Sequence, residues 1–301
     1  MRHFKFNFKF ILMSVVATLL FAACGTTSTV PITGRKHNLI VTDAQVLSLS
    51  NQQYSEFMKT AKLSTNAANT AMVKRVGTRL ANAVETYLKN NGMASEIQNY
   101  SWEFNLVQNS EANAFCMPGG KIVVYEGLLP ITQNEASLAI VLGHEIAHAV
   151  AKHSAEQMSK KIRQQYGTQI GGAAIGALLG NDAASIATSI AQQGFNLANL
   201  KYSRDDETEA DHMGLIFAAM AGYDPEVAIP FWQRMSSSSS SNESDFLSDH
   251  PSDSKRIAAI QKEMPEAMKY YEASGYTKKT TTTTKTTTRK TTKKSTTRRR
   301  K

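Results

Sequence analysis

Thr132-Gln133-Asn134-Glu135-Ala136-Ser137-Leu138-Ala139-Ile140-Val141-Leu142-Gly143-His144-Glu145-Ile146-Ala147-His148-Ala149-Val150 is the stretch whose reading decides the fold. Thr132 and Glu135 have the spacing of a capping box, in which each side chain satisfies a main-chain N–H left unpaired by the first helical turn. Leu138, Ile140, Val141, Leu142, Ile146, Ala147 and Val150 then follow a helical apolar period. A helix beginning at this box is predicted, and His144, Glu145 and His148 interrupt its apolar run. Buried ionisable groups are costly unless they are paired or bound to metal. His144 and His148 are four apart, on one helix face, so both imidazoles can share one ion. Glu145 lies ~100° further round, where it can reach a water on that ion as a general base without ligating. By chance this H-E-x-x-H pattern is expected roughly 0.01 times in such a chain.

Two histidines leave the coordination incomplete, because a catalytic zinc site usually has three protein ligands and one open position. His153 sits five residues beyond His148, ~140° off its face on a continuous helix, and reads as an exposed residue near a helix end rather than a ligand. Ala151 and Ser154 stand where a metzincin needs Gly and His, which excludes that class. The acidic run Asp205-Asp206-Glu207-Thr208-Glu209-Ala210-Asp211 is the better source. Glu207 and Asp211 share a face with Ala210 and Gly214, which are small enough for close helix packing. Glu209 lies about 200° from Glu207 and is expected to face solvent. Glu207 is therefore assigned as third ligand and Asp211 as the acceptor that orients a metal histidine. An acidic first turn favoured by the helix dipole accounts for Asp205 and Asp206 but not for acids continuing to position 211.

Around this centre the chain reads as mainly helical α+β. Asp43 is a candidate cap for a helix through Val46, Leu47, Leu49, Tyr54, Phe57 and Met58. A second helix carries Met72 to Leu88 and stops at Asn90-Asn91-Gly92. Trp102, Phe104 and Leu106 alternate as a strand. Ala114-Phe115-Cys116 and Ile122-Val123-Val124-Tyr125 flank a Met117-Pro118-Gly119-Gly120 turn. Later helices are expected over 206–221, 225–235 and 251–264, with a six-serine loop at 236–241. The glycine-rich 171–180 segment reads as a surface insertion, a flap or a membrane-touching hairpin. The lone Cys116 reads as a small buried hydrophobe.

The ends differ from the middle. The 301 residues are 42% apolar and 20% charged, which excludes a wholly disordered, collagenous or polytopic membrane protein. Two cysteines exclude a disulfide-stapled scaffold. The net charge of +9 belongs to the termini: residues 278–301 hold eleven Lys/Arg and no acid, and residues 24–277 are mildly acidic. Residues 1–23 read as an export signal, with Arg2, Lys5 and Lys9 before an apolar run too short to span a bilayer. Leu20-Phe21-Ala22-Ala23-Cys24 resembles a lipobox, which implies acylation of Cys24 and a lipid anchor on a membrane. Residues 24–42 then form a linker and 43–277 the folded domain. The Thr/Lys/Arg tail 278–301 is expected to be disordered, as a solvated tail or a contact to an anionic surface. No aromatics interleave its charges, so no specific nucleic-acid partner is expected.

Several of these motifs together resemble the HtpX and CAAX prenyl protease family of gluzincin metallopeptidases, in its soluble bacterial lipoprotein branch of LoiP-like and BepA-like periplasmic proteases. The motifs are Val30-Pro31-Ile32-Thr33-Gly34-Arg35, Asn113-Ala114-Phe115 with Pro118-Gly119-Gly120, Gly143 to His148, Ser203-Arg204 through Glu207, Ala210 and Asp211, and His250-Pro251 with Arg256. The resemblance runs from about Val30 to Ile260; Phe21 and Cys116 depart slightly from its pattern, and 171–180 and the tail lie outside it. It implies a zincin-like domain whose small sheet packs on the H-E-x-x-H helix, with one Zn2+ held by His144, His148 and Glu207. It further implies a polypeptide substrate pairing with the Asn113–Phe115 edge strand, and His250 and Arg256 facing that substrate, with His250 as an oxyanion donor. The function so implied is a membrane-anchored zinc metalloendopeptidase of the bacterial envelope, periplasmic or outward-facing, acting on unfolded or damaged proteins. A non-proteolytic assembly factor with a structural zinc is the alternative.

Overall fold

The computed structural model describes residues 26–166, 190–191, 194–238, 250 and 254–276. The signal stretch, Cys24, the 171–180 segment, Pro251, the end of the serine run and the basic tail lie outside the described residues. The chain opens with an antiparallel hairpin, β1 (Thr26–Thr29) and β2 (Lys36–Leu39), pairing Thr26 with Leu39 and Thr29 with Lys36. The stretch expected as a linker is thus folded, and Val30, Leu39, Ile40 and Val41 are buried. Helices α1 (Asp43–Thr60) and α2 (Ala67–Asn90) follow. Thr42, not Asp43, caps α1, in a capping box with Gln45.

Strands β3 (Glu103–Val107), β4 (Ala114–Met117) and β5 (Lys121–Tyr125) form a mixed sheet of order β3-β5-β4. β3 runs parallel to β5 and β4 antiparallel to it, so β4 is an edge strand. The turn between β4 and β5 needs its glycines: Gly119 and Gly120 have φ of +87° and +82°, a region that residues with a Cβ seldom visit. The two-residue period of a strand divides the side chains between two cores. Ala114, Cys116, Ile122, Val124, Phe104 and Leu106 pack toward α2 and the helix that carries the histidines. Phe115, Met117, Val123 and Val107 pack on the other side, with Leu49 of α1 and Phe195, Leu197 and Leu200.

After β5 come α3 (Leu129–Thr132), α4 (Glu135–Val150) and α5 (His153–Tyr166). The capping box at Thr132 does not form. Pro130 lies in a helical turn of its own that ends at Thr132, Gln133 turns left-handed at φ 64°, and Asn134 caps α4 by accepting from the Ser137 N–H at 2.9 Å. Glu135 turns outward to Arg75. α4 is buried from Ser137 to Val150. The remaining helices are α6 (Arg204–Met220), α7 (Ala228–Ser238) and α8 (Ser254–Ala273). α8 runs through Pro265, past its expected end at Met264, and Ala267 and Tyr271 beyond the proline are buried in the main core. Packing there outweighs the local cost of an unmade helical hydrogen bond. No helix among the described residues is long and apolar enough to cross a membrane.

α4 and α6 touch main chain to main chain. A Cβ built on Gly143 would lie 2.6 Å from the Gly214 carbonyl oxygen, and one on Gly214 2.6 Å from the His144 nitrogen. Only hydrogen side chains at both positions permit this approach, and it brings the acids of α6 to the histidines of α4.

Candidate metal centre

His144 and His148 project from α4, Glu207 from the first turns of α6, and His250 from the chain before α8. One donor atom from each lies within 4.8 Å of every other, and all four residues are buried. The Nε2 atoms of His144 and His148 are 3.1 Å apart. Glu207 oxygens lie 3.4 Å and 3.3 Å from them, and His250 Nδ1 lies 2.9 Å from Glu207 and 3.2 Å from His144 Nε2. Ligands at ~2.0–2.1 Å around a tetrahedral zinc ion sit about 3.3 Å from one another, which is the spacing seen. Glu145 Oε1 and Glu207 Oε2 are buried with no hydrogen-bond partner among the described residues. Imidazole nitrogens and carboxylate oxygens converging on one point, with buried oxygens left over, fit a divalent cation.

One carboxylate, Asp211, braces His144 from behind. Asp211 Oδ1 is 3.0 Å from His144 Nδ1, so His144 donates there, and a cation bound to the group would displace the proton on Nε2. Arg256 grips Asp211 with Nε at 2.5 Å and Nη2 at 2.7 Å, donates to the His250 carbonyl at 3.3 Å, and lies 3.8 Å over the Trp232 ring. Arg256, read from sequence as facing a substrate, lies behind the histidines against His250 and Asp211, with Nη1 3.5 Å from Glu207 Oε2. Burial opposes charge on Asp211, but Arg256 and His144 hold its carboxyl below the usual range. Burial likewise opposes charge on Glu207, and the neighbouring His250 and His144 bring it well below its ordinary value. Burial pushes His148 well down, helped by the neighbouring His144 and His153 and opposed by Glu207. At His144 burial acts downward too, yet Glu207 and Asp211 raise it to about 9.

Glu145 is 2% exposed, and burial is the main cause of its raised pKa. It accepts a main-chain hydrogen bond from Cys116 on β4, so the edge strand fixes the carboxylate. His250 Nε2 is 3.5 Å away. Asn113, Ala114 and Phe115 lie at and before the start of that edge strand, all buried. His250, read from sequence as an oxyanion donor, has its Nδ1 among the candidate ligand atoms. Tyr202 stacks on His148 at 4.0 Å and 18° between ring planes. The centre is closed on this side rather than open.

Two residues are not where a continuous helix would put them. α4 ends at Val150, and Lys152 takes φ 58°, held by Asp43 and Glu96 at 2.9 Å each. α5 starts afresh at His153 and folds that ring back, fully buried, with Nδ1 2.8 Å from His148 Nδ1. Glu209 does point away from Glu207, but the β1–β2 hairpin lies there instead of solvent. Glu209 accepts from Thr33 Oγ1 at 2.6 Å and from Arg35 Nε at 2.9 Å, and meets His153 Nε2 at 2.9 Å. Burial opposes its charge, yet these partners bring its pKa down to about 2. The sequence signal for both was the positional likeness of Thr33 and Arg35 to a family motif, which says nothing about what they touch.

Residues 67–264, about two thirds of the chain, match the model of peptidase family M48. The chain is 36% identical over 197 residues to the mitochondrial metalloendopeptidase OMA1 of Schizosaccharomyces pombe, covering 64% of this chain and 55% of that protein. It is 35% identical over 185 residues to the OMA1 of Arabidopsis thaliana, covering 61% and 36%. The beta-barrel assembly-enhancing protease of Escherichia coli is more distant, 25% identical over 237 residues, covering 76% and 46%. The chain thus spans about half or less of the length of these relatives.

Proposed function

This chain belongs to peptidase family M48, and from that premise we propose that it is a zinc metalloendopeptidase with His144, His148 and Glu207 as ligands and Glu145 as general base. The convergence of four buried donor atoms within 4.8 Å, beside a buried carboxylate, carries the reading. A zinc ion held by His144, His148 and Glu207 would supply Lewis acidity for a scissile carbonyl and would lower the pKa of a water from ~15.7 toward ~7. Glu145, raised by burial, is the carboxylate that would accept a proton from an attacking water and return it to the leaving amine. Asp211 holds the His144 ring in its ligating tautomer, and Arg256 holds Asp211. An extended polypeptide adds to β4 through main-chain hydrogen bonds, which makes cleavage tolerant of sequence. His250 leaves its place beside Glu207 to donate to the oxyanion.

The same reading places the protein on a bacterial envelope membrane through an acylated Cys24, two residues before β1, with unfolded or damaged envelope proteins as substrates. The closed four-donor arrangement also favours a second reading, a structural zinc in a non-proteolytic assembly factor, because structural sites lack an open position. Glu145→Gln and Glu207→Ala decide between them, with zinc content and cleavage of an unfolded protein such as casein measured in parallel. Glu145→Gln is expected to keep zinc and lose cleavage by about 10²–10⁴-fold; Glu207→Ala loses both. A Glu145→Gln protein that cleaves as fast as the wild type refutes the peptidase mechanism.

A further inference from the structure

His153 and Glu209 lie behind the metal centre, and the mechanism above gives them no task. His153 is fully buried. Glu209 is an acceptor toward Thr33 Oγ1 at 2.6 Å and toward Arg35 Nε at 3.0 Å and 2.9 Å. The His153 Nε2 that meets it at 2.9 Å is therefore the donor. A neutral imidazole carries one N–H, so His153 Nδ1 is an acceptor. The proton in the 2.8 Å contact between the two Nδ1 atoms then belongs to His148. That leaves His148 Nε2 bare, and it is the atom that faces His144 and Glu207. Reversing the chain would put a proton on His148 Nε2 and block it as a ligand.

We propose that His153 and Glu209 are positioning residues of the metal centre: the carboxylate acts through a second imidazole to fix the ligating tautomer and orientation of His148, and Thr33 and Arg35 of the N-terminal hairpin hold that carboxylate. The two metal histidines are then set by separate acids, His144 directly by Asp211 and His148 indirectly by Glu209. The hairpin that follows Cys24 becomes part of the catalytic centre. This rests on the zinc reading given above.

The test is zinc affinity of the full chain, measured by competition with a chromogenic chelator, for wild type, His153→Phe, Glu209→Ala and the double variant. Loss of a residue that orients a ligand typically weakens metal binding about 10–100-fold, and His153→Phe is expected to fall in that range. Glu209→Ala weakens binding in the same direction. The double variant binds no more weakly than His153→Phe, because both substitutions cut one chain. Cobalt-substituted protein reports the same change as a shifted visible spectrum in each variant. If circular dichroism shows His153→Phe unfolded, Glu209→Ala and its cobalt spectrum carry the test. Wild-type affinity and spectrum in Glu209→Ala, or a double variant that loses the product of the two single effects, overturns the proposal. A wild-type protein that binds no zinc overturns the peptidase reading instead.

Discussion

Gly214→Ala sets two physical effects against each other. Alanine favours a helix interior over glycine by about 1 kcal/mol, so propensity alone predicts a more stable protein. The Cβ, however, would sit 2.6 Å from the His144 nitrogen, 2.7 Å from the Gly143 carbonyl carbon and 2.8 Å from the His144 Cα. All three are main-chain atoms of α4, so no side-chain rotation relieves the contact. Ordinary contact needs ~3.5 Å, hence α4 and α6 must part by about 0.8 Å. Overpacking costs ~1–3 kcal/mol, and a clash of backbone on backbone belongs at the upper end. The net expectation is a loss of about 2 kcal/mol, or ~4–8 °C in the melting of a domain this size. The same movement separates Glu207 on α6 from His144 and His148 on α4. Metal–ligand distances tolerate only ~0.2 Å, so zinc affinity falls as well. Thermal melts in chelator isolate the packing effect, and metal analysis after gel filtration reads the second. A variant that melts above wild type and holds one equivalent of zinc refutes the claim that these helices touch.

Removing Arg256 as alanine leaves Asp211 buried without its bidentate partner, which costs about 3–5 kcal/mol in urea unfolding; lysine recovers only part, because one ammonium cannot make the forked contact. Glu263 lies 3.3 Å from His212 Nδ1 and raises its pKa above 6.5. A raised folded pKa means that the stabilisation is complete below 6.5 and is lost as pH rises through the higher folded value. With metal chelated, the stability gap between wild type and Glu263→Gln therefore shrinks as pH rises from 6.5 through the raised folded value, and a widening gap contradicts the assignment.

The sequence was most informative where a pattern is local. The 3.6-residue period of α4, the alternation in β3, the glycine turn between β4 and β5 and the Asn90-Asn91-Gly92 stop of α2 each depend on neighbours in the chain. Helical angles put Glu207 and Asp211 on one face, and the small Ala210 and Gly214 there showed that another helix packs against it. The same arithmetic misplaced His153, because it assumed that α4 continues where Lys152 in fact turns left-handed. For Glu209 the angle was right and the environment wrong: what lies opposite a helix face is a tertiary fact, and the hairpin that occupies it starts more than 160 residues earlier. Cap choice failed at Thr132 and Asp43 by one or two residues, since several adjacent polar residues can serve and the preceding backbone decides among them.

How a polypeptide reaches Glu145 follows from which walls of the centre can move. One wall is α4 against α6, in main-chain contact and locked by Arg256 on Asp211; opening it means unfolding the core. The opposite wall is Tyr202 and His250, both outside helices. Tyr202 is held by its stack on His148 and by a 3.0 Å bond to Ser154 Oγ, and Phe195, Leu197 and Leu200 just before it cover the β4 face that carries Phe115 and Met117. The stack contributes ~0.5–1.5 kcal/mol and the hydrogen bond a similar amount, so Tyr202→Ala removes about 2 kcal/mol from the closed form, roughly a 30-fold change in equilibrium. Activity on an unfolded protein is expected to rise by up to that factor, with zinc content unchanged, because Tyr202 ligates nothing. Side-by-side kcat/KM values with casein check this. A fall in activity at full zinc occupancy would place Tyr202 on the substrate instead of over the site, and access would then have to come from another direction.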